Sequence, residues 1–432
     1  MTARLLRSET LRSFRQRNFR VYFAGQAVSQ IGSWLQLIAQ TILMLRLEGT
    51  AIALGALVAL QFLPMLIFGP FSGVLADRLD KRRVMMVTQS FMMVPALLMG
   101  ALTISGHITT VWVLALATLT GLGTAFDNPP RRTILSELVG PADIPNAISL
   151  NSTLMTGARL VAPALAGLLI ATVGIGWCFI VNSLSFIAGL VAVKKLDTTT
   201  MTPARVVARS PGQVREGLSY LWGDRELRLA MSVMVVVSTL AFNWPVVLPI
   251  FARVTLGGDE RTYLILSAVV SFGSLIGALL IARRSEIRLV TVVRTGLAMG
   301  VVMTVFAASP TLWMALLLAP LLGGFGIAYL SSTASLLQIR SAPSMRGRVV
   351  ALHAVVFLGS TPIGGPIAGL VTQQFGPRVG LLLGAVPTIV AAGIALTSIA
   401  KRPIAVVQLK GVEVPSGRPL LGTNFTRWRR AA

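Results

Sequence analysis

Cysteine, histidine and acid are what this sequence has least of. Cys178 is the single cysteine in 432 residues, which excludes an intramolecular disulfide framework and a cysteine-based metal cluster. Two histidines and 15 acids provide neither a metal-ligand pattern nor the paired carboxylates that acid–base hydrolysis needs. No Gly-x-x-x-x-Gly-Lys phosphate loop occurs, so a built-in ATP motor is excluded as well. The chain is therefore read as neither an enzyme nor a cofactor carrier. Charge is scarce too, at 12% of residues against roughly 25% in soluble domains.

What is present is apolar: 54% of residues are hydrophobic and the mean hydropathy is +0.77. A bilayer crossing needs roughly 20 mainly apolar residues. Gly, Pro and charge divide the chain into twelve such runs, near 21–45, 53–76, 84–104, 111–128, 147–173, 176–193, 229–252, 262–282, 289–308, 311–333, 348–374 and 379–400. The basic N-terminal stretch resembles a signal n-region, but the apolar run after it is too long and carries four glutamines, so it reads as a retained first span.

Basic loops stay in the cytoplasm. With the N-terminus inside, 33 Lys and Arg fall on inside segments and only Arg46, Arg253, Arg261 and Arg378 outside, which places both termini in the cytoplasm. Trp112, Trp177 and Trp313 then all sit at the outer headgroup level, where tryptophan is favoured. The net charge of +23 is thus topology rather than a nucleic-acid footprint.

An ordered set of residues repeats at a fixed offset. Pro141, Gly157, Gly167 and Gly174 recur 202 residues later as Pro343, Gly359, Gly369 and Gly376, and Gly121 and Gly123 recur 203 later as Gly324 and Gly326. Duplicated halves of this kind are common in transporters. The expected fold is an all-α membrane protein of twelve helices in two pseudo-symmetric six-helix bundles. Residues 1–193 form the first unit with a basic tail and 229–400 the second. Residues 194–228 are a cytoplasmic linker with an amphipathic helix from about 212, in which Val214, Leu218 and Leu221 share a side. Residues 401–432 are a second basic tail.

Between the second and third runs lies GVLADRLDKRRVMM, a concentration of charge in an apolar chain. With AGQAVSQIGSWLQ, QFLPMLIFGP, FDNPPRR and VREGLSYL it resembles the major facilitator superfamily, in the branch of the enterobactin exporter and related bacterial secretion-effector permeases. Gly73, Asp77, Arg78, Lys81 and Arg82 match that family's first motif, except that Asp80 stands where glycine is usual. A carboxylate at the end of its own helix is disfavoured by the helix dipole and wants an outside cation. The resemblance implies that Asp77 finds it at the start of the eleventh span, Arg346 to Val349, and that Lys81 pairs with Asp127. These charges would latch the halves together on the cytoplasmic side.

Gln26, Ser29, Gln30, Ser33, Gln36 and Gln40 fall within an arc of roughly 120° on the first span, which points them away from lipid. They either line a wet cavity or pair with neighbouring helices. Ser152, Thr156 and Arg159, Ser267, Ser271 and Ser274, and Tyr329, Ser332 and Thr333 form similar faces on other spans. Asn243, Trp244 and Pro245 break the seventh span. The expected substrate cavity therefore comprises Gln26, Gln30, Ser33, Gln36, Gln40, Arg159, Asn243, Trp244 and Tyr329, suited to neutral or anionic molecules.

Of these, Arg159 is a mid-span charge that costs about 2.5–3.5 kcal/mol to insert, which argues for a task. Its alternative is a structural bond to carbonyls near Pro163. Proton coupling follows from the resemblance, with Asp127 and His353 as the titratable candidates. Against it, Ala117 stands where the family's fourth-span arginine would be, and the fifth-span antiporter motif is reduced to Ala158, Ala162 and Pro163.

The expected function is secondary active export of a small amphiphilic molecule, such as a drug, siderophore or secondary metabolite, by a monomer in a bacterial plasma membrane. Uptake by the same fold and a non-transporting sensor are the alternatives. Asp77→Asn is expected to leave the protein in the membrane and to slow transport; a normal flux in vesicles would remove the latch.

Overall fold

The computed structural model describes residues 9–201, 213–284, 286–342 and 344–401. Side chains at 9–10, 70, 73–78 and 213–214 lie outside that set. The described residues form helices joined by short turns, with no strand among them. In lipid a spanning backbone must satisfy its own polar groups, and helices do so within one segment.

The first bundle comprises α1 (Arg17–Leu47), α2 (Ala51–Arg78), α3 (Lys81–Ile104), α4 (Thr110–Leu138), α5 (Ile144–Thr172) and α6 (Gly176–Lys194). After the linker helix α7 (Gln213–Gly223), the second comprises α8 (Arg225–Leu240) with α9 (Trp244–Ile250), α10 (Glu260–Ala282), α11 (Leu289–Ala307), α12 (Leu312–Arg340), α13 (Arg346–Gly359) with α14 (Thr361–Phe375), and α15 (Pro377–Lys401). Eleven helices, with α13 and α14 taken as one, are long and apolar enough to span, and α8 with α9, bent by 43°, supplies the twelfth.

Packing follows the repeat. α4 lies along α2 and α3, as α12 lies along α10 and α11; α6 lies along α3, as α15 lies along α11. Thr109 and Thr311 cap α4 and α12 by accepting from the backbone N–H of Trp112 and Met314. Gly174 and Gly376 make the turns after α5 and α14 at φ of 98° and 87°, which favours glycine. Where α4 crosses α2, a β-carbon on Gly121 would meet the Gln61 carbonyl oxygen at 2.0 Å; where α12 crosses α10, one on Gly323 would meet that of Val270 at 1.9 Å. Small residues let backbones approach this closely.

Two helices run further than expected. α4 continues past Pro129 and Pro130 to Leu138, not 128, and α12 continues to Arg340, not 333. The added turns of α4 bury Ile134, Leu135 and Leu138 against Phe19, Tyr22 and Met85. That tertiary burial outweighs the proline stop signal. Arg131 and Arg132 are consequently helical rather than in a loop.

The bundles meet at the end away from the termini. There Arg46 of α1 donates from Nε and Nη2 to Glu260 of α10, both at 2.6 Å. The Ala51 N–H donates to Gln373 Oε1 at 3.0 Å. Gly55 and Gly369 bring α2 and α14 together, and Gly167 packs on Leu264 between α5 and α10. Toward the other end, a β-carbon on Gly69, Gly157 or Gly347 would meet nothing within 4 Å, so α2, α5 and α13 are not packed against a neighbour at those positions.

The linker helix docks on the second bundle. Glu216 pairs with Arg348 at 2.5 Å, Tyr220 Oη accepts from the Ala342 N–H at 3.0 Å, and Leu221 is buried while Leu218 is exposed.

Gly121→Val and Gly323→Val are each expected to destabilise the protein by about 1–3 kcal/mol through overpacking. Gly157→Ala should be near neutral. Thermal unfolding in detergent measures all three, and equal midpoints would refute the crossing contacts.

Candidate functional site

The charged bend braces the first bundle. Asp80 is the N-cap of α3, accepting from the backbone N–H of Arg82 and Arg83 at 2.8 and 3.4 Å. That explains an acid where the family has glycine. Lys81 forms an ion pair with Glu137 on the extended end of α4. Arg82 donates to the carbonyls of Val193 and Lys194 at 3.3 and 3.2 Å, satisfying the C-terminus of α6. The side chains of Gly73, Asp77 and Arg78, on which the expected latch turns, lie outside the described residues.

The expected Lys81–Asp127 pair is not formed. Asp127 is 3% exposed and pairs with Arg131 one helical turn later, whose Nε donates to Oδ2 at 2.7 Å. Thr88 Oγ1 donates to Oδ1 at 2.9 Å. Arg131 also donates to Gln26, and Tyr22 Oη donates to the Arg131 carbonyl at 3.3 Å. Asp127 and Arg131 become partners because α4 continues as helix and brings residues four apart onto one face.

The glutamine stripe divides. Gln26, Gln36 and Gln40 are buried within the first bundle. Asn182 Nδ2 of α6 donates to Gln36 Oε1 at 2.5 Å, and Gln61 Nε2 of α2 donates to Gln40 Oε1 at 3.5 Å. Gln30 and Ser33 stay half-buried, with Ser33 Oγ donating to the Ser29 carbonyl at 2.9 Å. Helical spacing identifies a face turned away from lipid but does not separate a cavity from a helix seam. Gln89, fully buried opposite Gly189, is a further seam residue that no pattern had marked.

In the second bundle, Asn243 is 3% exposed. Its Nδ2 donates to the Thr239 and Leu240 carbonyls at 2.8 and 3.3 Å, so it plugs the helix break. Trp244 is half-buried against the apolar core, and Tyr329 is fully buried with its ring against Gly296. Asn243 Oδ1 and Tyr329 Oη have no protein partner among the described residues. His353 on α13 is half-buried, and its Nε2 has no protein partner among the described residues.

Arg159 lies at the middle of α5, with its guanidinium carbon 5.3 Å from the Trp34 ring centroid on α1. Tyr263 of α10, from the other bundle and 5% exposed, has its hydroxyl beside Thr41 and Ser267 and lies within electrostatic range of Arg159. Trp34 and Tyr263 were not expected at the site. Their signals were the one aromatic within the glutamine stripe and an aromatic one turn before Ser267.

A family model described as transmembrane secretion effector matches residues 8–416. The multidrug efflux pump Tap of Mycolicibacterium fortuitum is 27% identical, over 82% of this chain and 89% of that protein. The macrolide efflux protein A of Streptococcus pyogenes is 23% identical, over 84% of this chain and 92% of that protein. Among solved structures, a POT family transporter in complex with a thioalcohol-conjugated peptide superposes with a TM-score of 0.72 at 9% identity, covering 89% of this chain and 96% of that one, a likeness of fold alone.

Asp127→Asn is expected to cost about 3–5 kcal/mol, because it strands a buried Arg131. Pairing it with Arg131→Met should recover much of the loss. Unfolding midpoints of the single and double variants decide this; additive losses would mean the two side chains are not partners.

Proposed function

The chain belongs to the transmembrane secretion effector family of membrane transporters, and on that premise we propose that it exports a small amphiphilic molecule from a bacterial cytoplasm by proton-coupled alternating access. The observation that supports this reading is the family match over residues 8–416, with multidrug and macrolide efflux proteins similar along most of the chain. Arg46–Glu260 joins the bundles at the end away from the termini. With both termini in the cytoplasm, that end is the outer one, and the substrate crevice of this reading lies between the bundles and opens inward.

In this reading units 1–193 and 229–400 rock as rigid bundles of a monomer, tethered by 194–228. Two sets of contacts alternate. Arg46–Glu260 holds the outer end shut in the state described. Asp77, with Gly73 and Arg78 beside it, engages the start of α13 when the inner end closes, while Lys81 and Arg82 keep the bend rigid against α4 and α6. The terminal segment 402–432 lies outside the described residues.

Asp127 is the candidate proton carrier. Its carboxylate is buried and held by Arg131, so a proton on it would cancel the attraction and free the guanidinium, altering how α4 sits on α1. His353 is the lesser candidate, because no described carboxylate pairs with it.

Everted vesicles test the reading. With an acid interior, a panel of amphiphilic antibiotics and siderophores should include compounds that accumulate, and an uncoupler should abolish the accumulation. No gradient-driven accumulation of any compound would overturn it. Glu260→Gln should shift the population toward the outward-open state by about fivefold or less, since the pair is partly exposed and worth at most about 1 kcal/mol. Spin-label distances between Thr50→Cys and Arg261→Cys in a Cys178→Ala background would read the shift.

A further inference from the structure

We propose that this transporter recognises its substrate through a carboxylate, bound in the crevice by Arg159 of the first bundle and Tyr263 of the second. The proposal rests on the transport reading and names the substrate class for the same site.

Arg159 carries a charge that the protein leaves uncompensated. Among the described residues no carboxylate lies within ion-pair distance of it, whereas Asp127 is taken by Arg131 and Glu260 by Arg46. Yet Arg159 is at mid-helix, as far from either headgroup region as a residue of α5 can be, where a lone charge is costly. A site that tolerates this cost while keeping the residue half-accessible is built to receive a counter-charge from outside.

The surroundings say which one. The guanidinium lies over the Trp34 ring, an arrangement that supports a cation through its π face. The N–H edge of a guanidinium so placed matches the two oxygens of a carboxylate. On the facing bundle, within electrostatic range of Arg159, the buried Tyr263 hydroxyl stands with Thr41 and Ser267 as neutral hydrogen-bonding groups, which a substrate entering between the bundles would have to reach. One fixed positive charge with neutral donors suits a monoanion; a dianion would be half neutralised, and an ammonium would face Arg159 with no acid to screen it. Because Arg159 sits on α5 and Tyr263 on α10, a carboxylate between them touches both bundles. It can therefore bind the open and closed states with different strength, which a transported substrate must do. The half-buried Trp34 supplies apolar surface for the rest of an amphiphile.

Purified protein in lipid nanodiscs, titrated calorimetrically with 2-naphthoate, 2-naphthamide and 2-naphthylmethylammonium, tests this. Naphthoate is expected to bind at least about tenfold more tightly than the amide, and the ammonium not measurably. Arg159→Gln should bring acid and amide to equal affinity, and Arg159→Lys should keep part of the preference. Tyr263→Phe, nearly isosteric, should weaken naphthoate by about three- to tenfold and leave the amide little changed, and it carries the test if Arg159→Gln fails to fold. A merely structural Arg159 would change unfolding midpoints without touching the acid-to-amide ratio. Wild-type protein without a preference for the acid, or Arg159→Gln retaining it, overturns the proposal. Gradient-driven transport of other amphiphiles by the same preparation would show that the transport reading stands without it.

Discussion

The cost of holding a charge or an unpaired polar group in an apolar medium organises this molecule. It explains the pairing of the charges around the first bundle. Asp127 holds Arg131, Lys81 holds Glu137, and Arg82 and Asp80 spend themselves on helix ends. The same cost explains the amide seam of α1, where Gln36 meets Asn182 and Gln40 meets Gln61. Against this background Arg159 stands apart, with the Trp34 indole beside it and no ion-paired acid among the described residues.

The second constraint is close approach. Without a hydrophobic drive between helices in lipid, association depends on packing, and packing depends on small residues. Gly121 against Gln61 and Gly323 against Val270 mark equivalent crossings within the two bundles. Gly167 against Leu264 and Gly369 against Ala51 mark equivalent crossings between them. These four glycines are contact points of a duplicated architecture, and the cross-bundle pairs are those that must slide or part if the crevice changes sides. The ion pair between Arg46 and Glu260 sits at the mouth of this seam, partly exposed. That makes it weak enough to break in a transport cycle.

Much of this was legible in advance. Twelve apolar runs, the offset of 202 and the break at Asn243 all reappear in the helices and their contacts. The site was legible in part. Arg159 was marked by its charge alone, because any ionised group in a long apolar run is conspicuous. That Gln26, Gln36, Asn243 and Tyr329 are buried was not legible, because a polar residue turned from lipid has two destinations, a crevice or a seam, and periodicity is the same for both. The partner of Asp127 was missed for a related reason. Pro129 and Pro130 signal an end to the helix, and only the burial of Ile134 and Leu138 beyond them keeps Arg131 in register.

What the sequence determined by itself was the class of solvent, the number of crossings and the duplication, since these depend on composition summed over long windows and on residues related by a constant offset. What only the tertiary structure decided was which polar groups pair, which end is closed, and that Tyr263, 104 residues away in the other bundle, comes within electrostatic range of Arg159. Those outcomes depend on which helix faces are brought into contact, and one helix's periodicity carries no information about its neighbour.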